Sequence, residues 1–138
     1  MNEPRQLQIL AVDDDPGLLR TLRRILASEG YSVSAAQDGE DGLQHVLTTG
    51  FDLVILDLQM PRMDGRTFFR ELRARGYTVP VLVLSAYGAE AAAKELRAEF
   101  PDEGGWWSDL QEEADRLGIS RQALIKVWIA ERLERKAG

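Results

Sequence analysis

The chain has 138 residues, 44% of them hydrophobic and 29% charged, with a net charge of −6; that leaves room for one ordinary domain, or for one small domain plus a short appendage, and excludes a disordered or fibrous chain. The absence of cysteine removes any disulfide framework, thiolate zinc site or cysteine nucleophile. No apolar run approaches the roughly 18 residues of a membrane span, Met1 to Gln8 is too polar for a signal peptide, and the acidic balance argues against bulk-electrostatic coating of nucleic acid, so the expectation is a cytoplasmic protein without a membrane partner.

From the N-terminus, Leu7 to Val12 (LQILAV) reads as a buried strand that runs into Asp13, Asp14, Asp15 and Pro16. Aspartates and a proline suit the first turn of a helix. Leu18, Leu19, Leu22, Ile25 and Leu26 then recur at helical spacing until Gly30 stops them. Tyr31 to Ala35 alternates as a strand, Glu40 to Leu47 reads as a second helix closed by Gly50, and Leu53 to Leu56 (LVIL) is a continuous apolar run ending in Asp57. Such a run fits a strand covered on both faces. Asp64 and Gly65 mark a turn, Thr67 to Arg75 a third helix ended by Gly76, and Val81 to Leu84 (VLVL) a fourth strand ending at Ser85. His45 and the arginines Arg66, Arg70, Arg73 and Arg75 read as solvated helix faces.

Strands alternating with helices across short loops imply a parallel sheet with right-handed crossovers, whose ligands bind beyond the carboxyl ends of the strands. Asp13, Asp14, Asp57 and Ser85 all fall at such ends. Carboxylates crowded together repel unless a cation neutralises them, and an all-oxygen donor set selects a hard ion such as Mg²⁺, which also takes phosphate oxygens. An aspartate beside that ion can be the nucleophile that forms an aspartyl phosphate. Taken singly, an Asp-Asp pair is a helix cap and a serine a turn residue; their conjunction at neighbouring strand ends is what points to chemistry.

VDDDP at 12–16, VILDLQMPRMDG at 54–65 and VLVLSAY at 81–87 resemble the receiver domain of bacterial response regulators. The resemblance covers about residues 6–98 and implies a flavodoxin-like α/β fold and a role in two-component signalling rather than an enzyme, with slow self-dephosphorylation at most. It further implies that Asp57 accepts a phosphoryl group from a histidine kinase, that Asp13, Asp14 and Asp57 itself hold Mg²⁺, that Gln59 offers a backbone carbonyl to the metal, and that Ser85 is the switch hydroxyl contacting the phosphoryl group.

The family's fifth strand, which ends in a lysine, has no evident counterpart, since the three lysines Lys94, Lys126 and Lys136 stand in other contexts. The expectation is therefore a parallel sheet truncated after strand four, with residues 1–100 as the receiver-like domain and 101–138 as a two-helix appendage. EAAAKELR at 90–97 favours helix, and 102–105 (DEGG) break the chain. Trp106, Trp107, Leu110, Ala114 and Leu117 then recur at helical spacing, with Ser108 reading as the N-cap of a helix from Asp109 onward, and Ser120 as the cap of a helix carrying Leu124, Ile125, Trp128, Ile129 and Leu133. A bare fourth strand and these apolar stripes both call for cover, and a homodimer through the appendage is the expected solution. Asp109 to Lys136 resembles the helices of ribbon-helix-helix, CopG-like repressors. That makes a DNA-binding regulator an alternative, disfavoured by Arg97 standing alone where a base-reading strand would lie. Two further alternatives are a late fifth strand at 124–129 (LIKVWI) with Lys126 as the missing lysine, and a chimeric or structural protein with a vestigial pocket.

Overall fold

The computed structural model describes residues 6–57, 64–85, 90–100, 107–109 and Gly118. The described elements alternate along the chain as β1 (Gln8–Val12), α1 (Pro16–Ser28), β2 (Ser32–Ala36), α2 (Gly39–Thr48), β3 (Leu53–Asp57), α3 (Gly65–Ala74), β4 (Val81–Ser85), α4 (Glu90–Glu99) and β5 (Trp107–Asp109). All four predicted strands and the four helices from α1 to α4 appear within a few residues of their expected bounds, because apolar period and glycine stops act locally. Gly30 and Gly76, at φ +92 and +85, occupy left-handed conformations just past α1 and α3.

The strands form one sheet in the order β2-β1-β3-β4-β5. Every pairing is parallel. Alternate residues of the continuous runs serve opposite faces. Ile9, Ala11, Leu53, Ile55 and Leu82 join Leu19, Leu22 and Leu26 of α1 in one buried cluster. Leu10, Val12, Val54, Leu56, Val81 and Val83 join Leu43, Phe68, Phe69, Leu72 and Leu96 of α2, α3 and α4 in the other. Burial on both faces explains why β3 and β4 read as unbroken hydrophobic runs.

The expected truncation after strand four does not hold. β5 pairs Val83 with Trp107, Leu84 with Ser108 and Ser85 with Asp109. The sheet thus includes residues assigned from sequence to the appendage. Ser108 and Asp109 lie in a strand, not at the start of a helix. A three-residue strand is too short to declare itself by period, and its partner β4 supplies the pairing that makes it a strand. β4 is accordingly an interior strand, and one of the two reasons for expecting external cover falls away. Trp107, read from sequence on the same helical stripe as Leu110, is likewise in the strand; the rest of the two expected helices, the ribbon-helix-helix resemblance beyond Asp109 and the late strand at 124–129 with Lys126 lie outside the described residues, Gly118 apart.

The arginines of α3 are more than a solvated face. Arg66 meets Glu95 of α4 at 2.7 Å. The Arg70 Nε donates to both carboxylate oxygens of Glu99 at 3.0 Å. Arg73 lies 4.7 Å over the Phe69 ring and donates to the Tyr77 carbonyl at 3.0 Å. Phe69 and Phe100 pack edge to face at 5.1 Å. α4 is thereby pinned to α3 by charge on the outside and by Leu96 and Phe100 beneath.

Candidate functional site

Three consecutive aspartates leave β1 and take three different roles. The Asp13 N–H donates to the Ala36 carbonyl at 3.0 Å, continuing the β1–β2 ladder by one residue and carrying the side chain into the interior, where Asp13 is 7% exposed. Asp14 is exposed. Asp15 is the N-cap of α1, its Oδ1 accepting from the Gly17 N–H at 2.9 Å and the Leu18 N–H at 3.3 Å. The capping role read from sequence for the group as a whole thus belongs to Asp15. Asp13 and Asp14 remain for other work.

Asp57 ends β3, half-buried. The register sets Val12 beside Leu56, so the residue after each is an aspartate at the same sheet edge. One carboxylate oxygen from each of Asp13, Asp14 and Asp57 lies within 4.8 Å of the others. Burial pushes the Asp13 carboxyl up to about 7, with the negative charges of Asp57, Asp14 and Asp15 adding to the rise and the Asp15 N–H, donating at 2.8 Å, opposing it. A carboxyl held this far above its ordinary range is disfavoured in its charged form by burial and by its acidic neighbours. Three carboxylates in a tight set, with no nitrogen or sulfur donor among them, fit Mg²⁺.

Ser85 closes β4 one position beyond Leu84, the register partner of Asp57, so its backbone stands at the same edge as the three acids. Gln59, expected to offer a carbonyl to the metal, lies outside the described residues. His45 pairs with Asp41 at 3.7 Å on the surface of α2, in line with the surface reading.

Two features escaped sequence reasoning. Asp64 caps α3 through the Thr67 N–H at 2.9 Å. Slight burial raises its pKa, but the bonds from Thr67 and the Arg66 charge outweigh that and hold it below the ordinary range. The other is Asp52, 4% exposed at the opposite end of the sheet. Its Oδ2 accepts the Gln8 N–H at 2.8 Å while its own N–H donates to the Gln8 carbonyl at 2.8 Å. The local signal for the first was an aspartate three residues before a threonine; the second has none, since only the pairing of β1 with β3 brings Gln8 to Asp52.

Among curated proteins, the chain is 46% identical over 80 residues to response regulator MprA of Mycolicibacterium vanbaalenii, covering 58% of this chain and 35% of that protein. It is 47% identical over 81 residues to transcriptional regulatory protein GlrR of Escherichia coli, covering 59% and 18%. The chain thus spans about a third or less of these relatives. Among solved structures, chemotaxis protein CheY4 of Vibrio cholerae superposes with a TM-score of 0.71 at 26% identity, covering 91% of this chain and 98% of that one. The signal receiver domain of an HD domain-containing protein from Pseudomonas fluorescens shares the fold at a TM-score of 0.76 and 22% identity, covering 96% and 98%. Residues 9–99 match the family described as the response regulator receiver domain, and with the acids of β1 and β3 gathered at one sheet edge, the chain belongs to that family.

Proposed function

We propose that this receiver domain is a Mg²⁺-dependent phosphoacceptor in the cytoplasm, loaded on Asp57 by a histidine kinase. The observation that carries this reading is the set of carboxylate oxygens from Asp13, Asp14 and Asp57 within 4.8 Å, one of them on a carboxyl pushed up to about 7. Mg²⁺, when bound, supplies the positive charge that lets these acids sit together and that offsets charge on the phosphoryl oxygens. Asp13, Asp14 and Asp57 would hold the ion, and the resemblance adds the Gln59 carbonyl as a further ligand. An Asp57 oxygen attacks phosphorus, the bond from phosphorus to the donor breaks, and the donor leaves with the electron pair. Ser85, at the neighbouring strand tip, offers its hydroxyl to a phosphoryl oxygen. Water later attacks phosphorus, releasing phosphate and restoring the Asp57 carboxylate; the domain signals and has no other substrate to turn over.

Incubation with acetyl phosphate and Mg²⁺ should add one phosphoryl mass to the wild-type chain and none to Asp57→Asn. Equal labelling of the two would remove Asp57 from this role. In the sequence, Leu124, Ile125, Trp128, Ile129 and Leu133 recur at helical spacing, and this spacing supports a homodimer through the C-terminal segment. Light scattering should return twice the chain mass, and a monomer at all concentrations would dismiss that quaternary reading.

A further inference from the structure

We propose that Asp109 sets the charge balance of the site, favouring the divalent ion and disfavouring the phosphoryl group; this rests on the phosphoacceptor reading of Asp57. The sheet carries the argument. Ser85 is the register partner of Asp109, and Asp57 that of Leu84. Parallel neighbours stand roughly 4.8 Å apart, so Asp109 ends β5 two strands from Asp57 and at the same edge. Across β1, β3, β4 and β5 the chain therefore reaches this edge with Asp13 and Asp14, Asp57, Ser85 and Asp109. None of these residues is basic.

An aspartyl phosphate brings close to two negative charges where the free carboxylate had one. A carboxylate at the tip of β5 opposes that gain and at the same time draws a cation to the edge. The effects have opposite signs, and this sets a charge role apart from a structural one: a variant that merely loosens β5 weakens ion binding and phosphorylation together.

The test uses the full-length chain and its Asp109→Asn and Asp109→Lys variants at low salt, with Mg²⁺ affinity measured by titration and labelling by acetyl phosphate followed by mass. The initial labelling rate at saturating Mg²⁺ should rise from wild type to Asn to Lys, by about threefold to tenfold per unit of charge removed in a partly aqueous site. Mg²⁺ affinity should fall in the same order. Unchanged labelling with normal labelling of wild type overturns the proposal and leaves Asp57 in its role. A joint fall in both quantities also overturns it, as a structural effect. If neither wild type nor any variant takes label, the phosphoacceptor reading fails and this proposal falls with it.

Discussion

The two ends of the sheet treat a buried aspartate in opposite ways. At the amino edge, Asp52 accepts the Gln8 N–H and returns its own N–H to the Gln8 carbonyl, so the carboxylate closes a ring of hydrogen bonds between β1 and β3. At the carboxyl edge, Asp13 receives the Asp15 N–H but faces Asp14 and Asp57. The first acid is buried because it is satisfied. The second is buried beside two further carboxylates, an arrangement that raises its pKa and that the proposed Mg²⁺ would relieve. Burial of charge alone is thus no mark of function; an unfavourable environment is.

Replacing the acids one by one breaks the comparison where it is strongest. Asp57→Asn should lose phosphoryl labelling entirely while keeping its far-UV circular dichroism. Asp13→Asn should lower Mg²⁺ affinity by about tenfold or more, as loss of a ligand charge does, yet raise Tm in EDTA because repulsion is relieved. Asp52→Ala should do the reverse, costing about 1–3 kcal/mol in urea denaturation by leaving the Gln8 N–H without its partner, with Mg²⁺ affinity of the folded protein unchanged. A fall in Tm for Asp13→Asn in EDTA would mean that the two edges do not differ in kind.

pH sharpens the same contrast. With the Asp13 carboxyl raised from 3.8 to about 7, the folded state binds more protons than the unfolded one across that interval. Stability in EDTA therefore falls as pH climbs through it and levels off above about 7. Mg²⁺ must displace that proton, so its affinity should rise by up to about tenfold per pH unit toward neutrality and then flatten. A Mg²⁺ affinity that is flat from pH 5 to 8 would contradict the assignment. Gly42→Ala tests packing behind the site, since a Cβ there would meet Phe68 and Val12 at 3.1 Å, both in the core. A loss of about 1–2 kcal/mol in denaturant titration is expected, overpacking outweighing the better helix propensity. The smallest effect belongs to the α3–α4 ion pairs. Glu95→Gln with Glu99→Gln should move Tm slightly at low salt and not at all at high salt, because these groups are well exposed.

Much of the site was legible because its residues follow strands that announce themselves. LQILAV and LVIL are buried runs, and whatever comes next in a parallel α/β sheet arrives at the ligand-binding edge. Asp13, Asp14, Asp57 and Ser85 follow from that rule before any resemblance is considered. The division of labour among Asp13, Asp14 and Asp15 did not follow, since three identical side chains in a row differ only in where the turn into α1 points them. Nor did β5: 107–109 (WSD) has no period to read, and Ser108 before an acidic stretch carries the local signature of a helix cap.

Sequence alone determined the order and kind of the first eight elements and that Asp13, Asp14 and Asp57 follow strands to the carboxyl edge, because apolar period, caps and glycine stops act within a few residues of themselves. The fifth strand, the ring between Asp52 and Gln8, the clamp of α4 on α3 and the position of Asp109 beside Ser85 were decided only in three dimensions. Each joins residues tens of positions apart, and the free energy that holds it comes from a partner that no local pattern records.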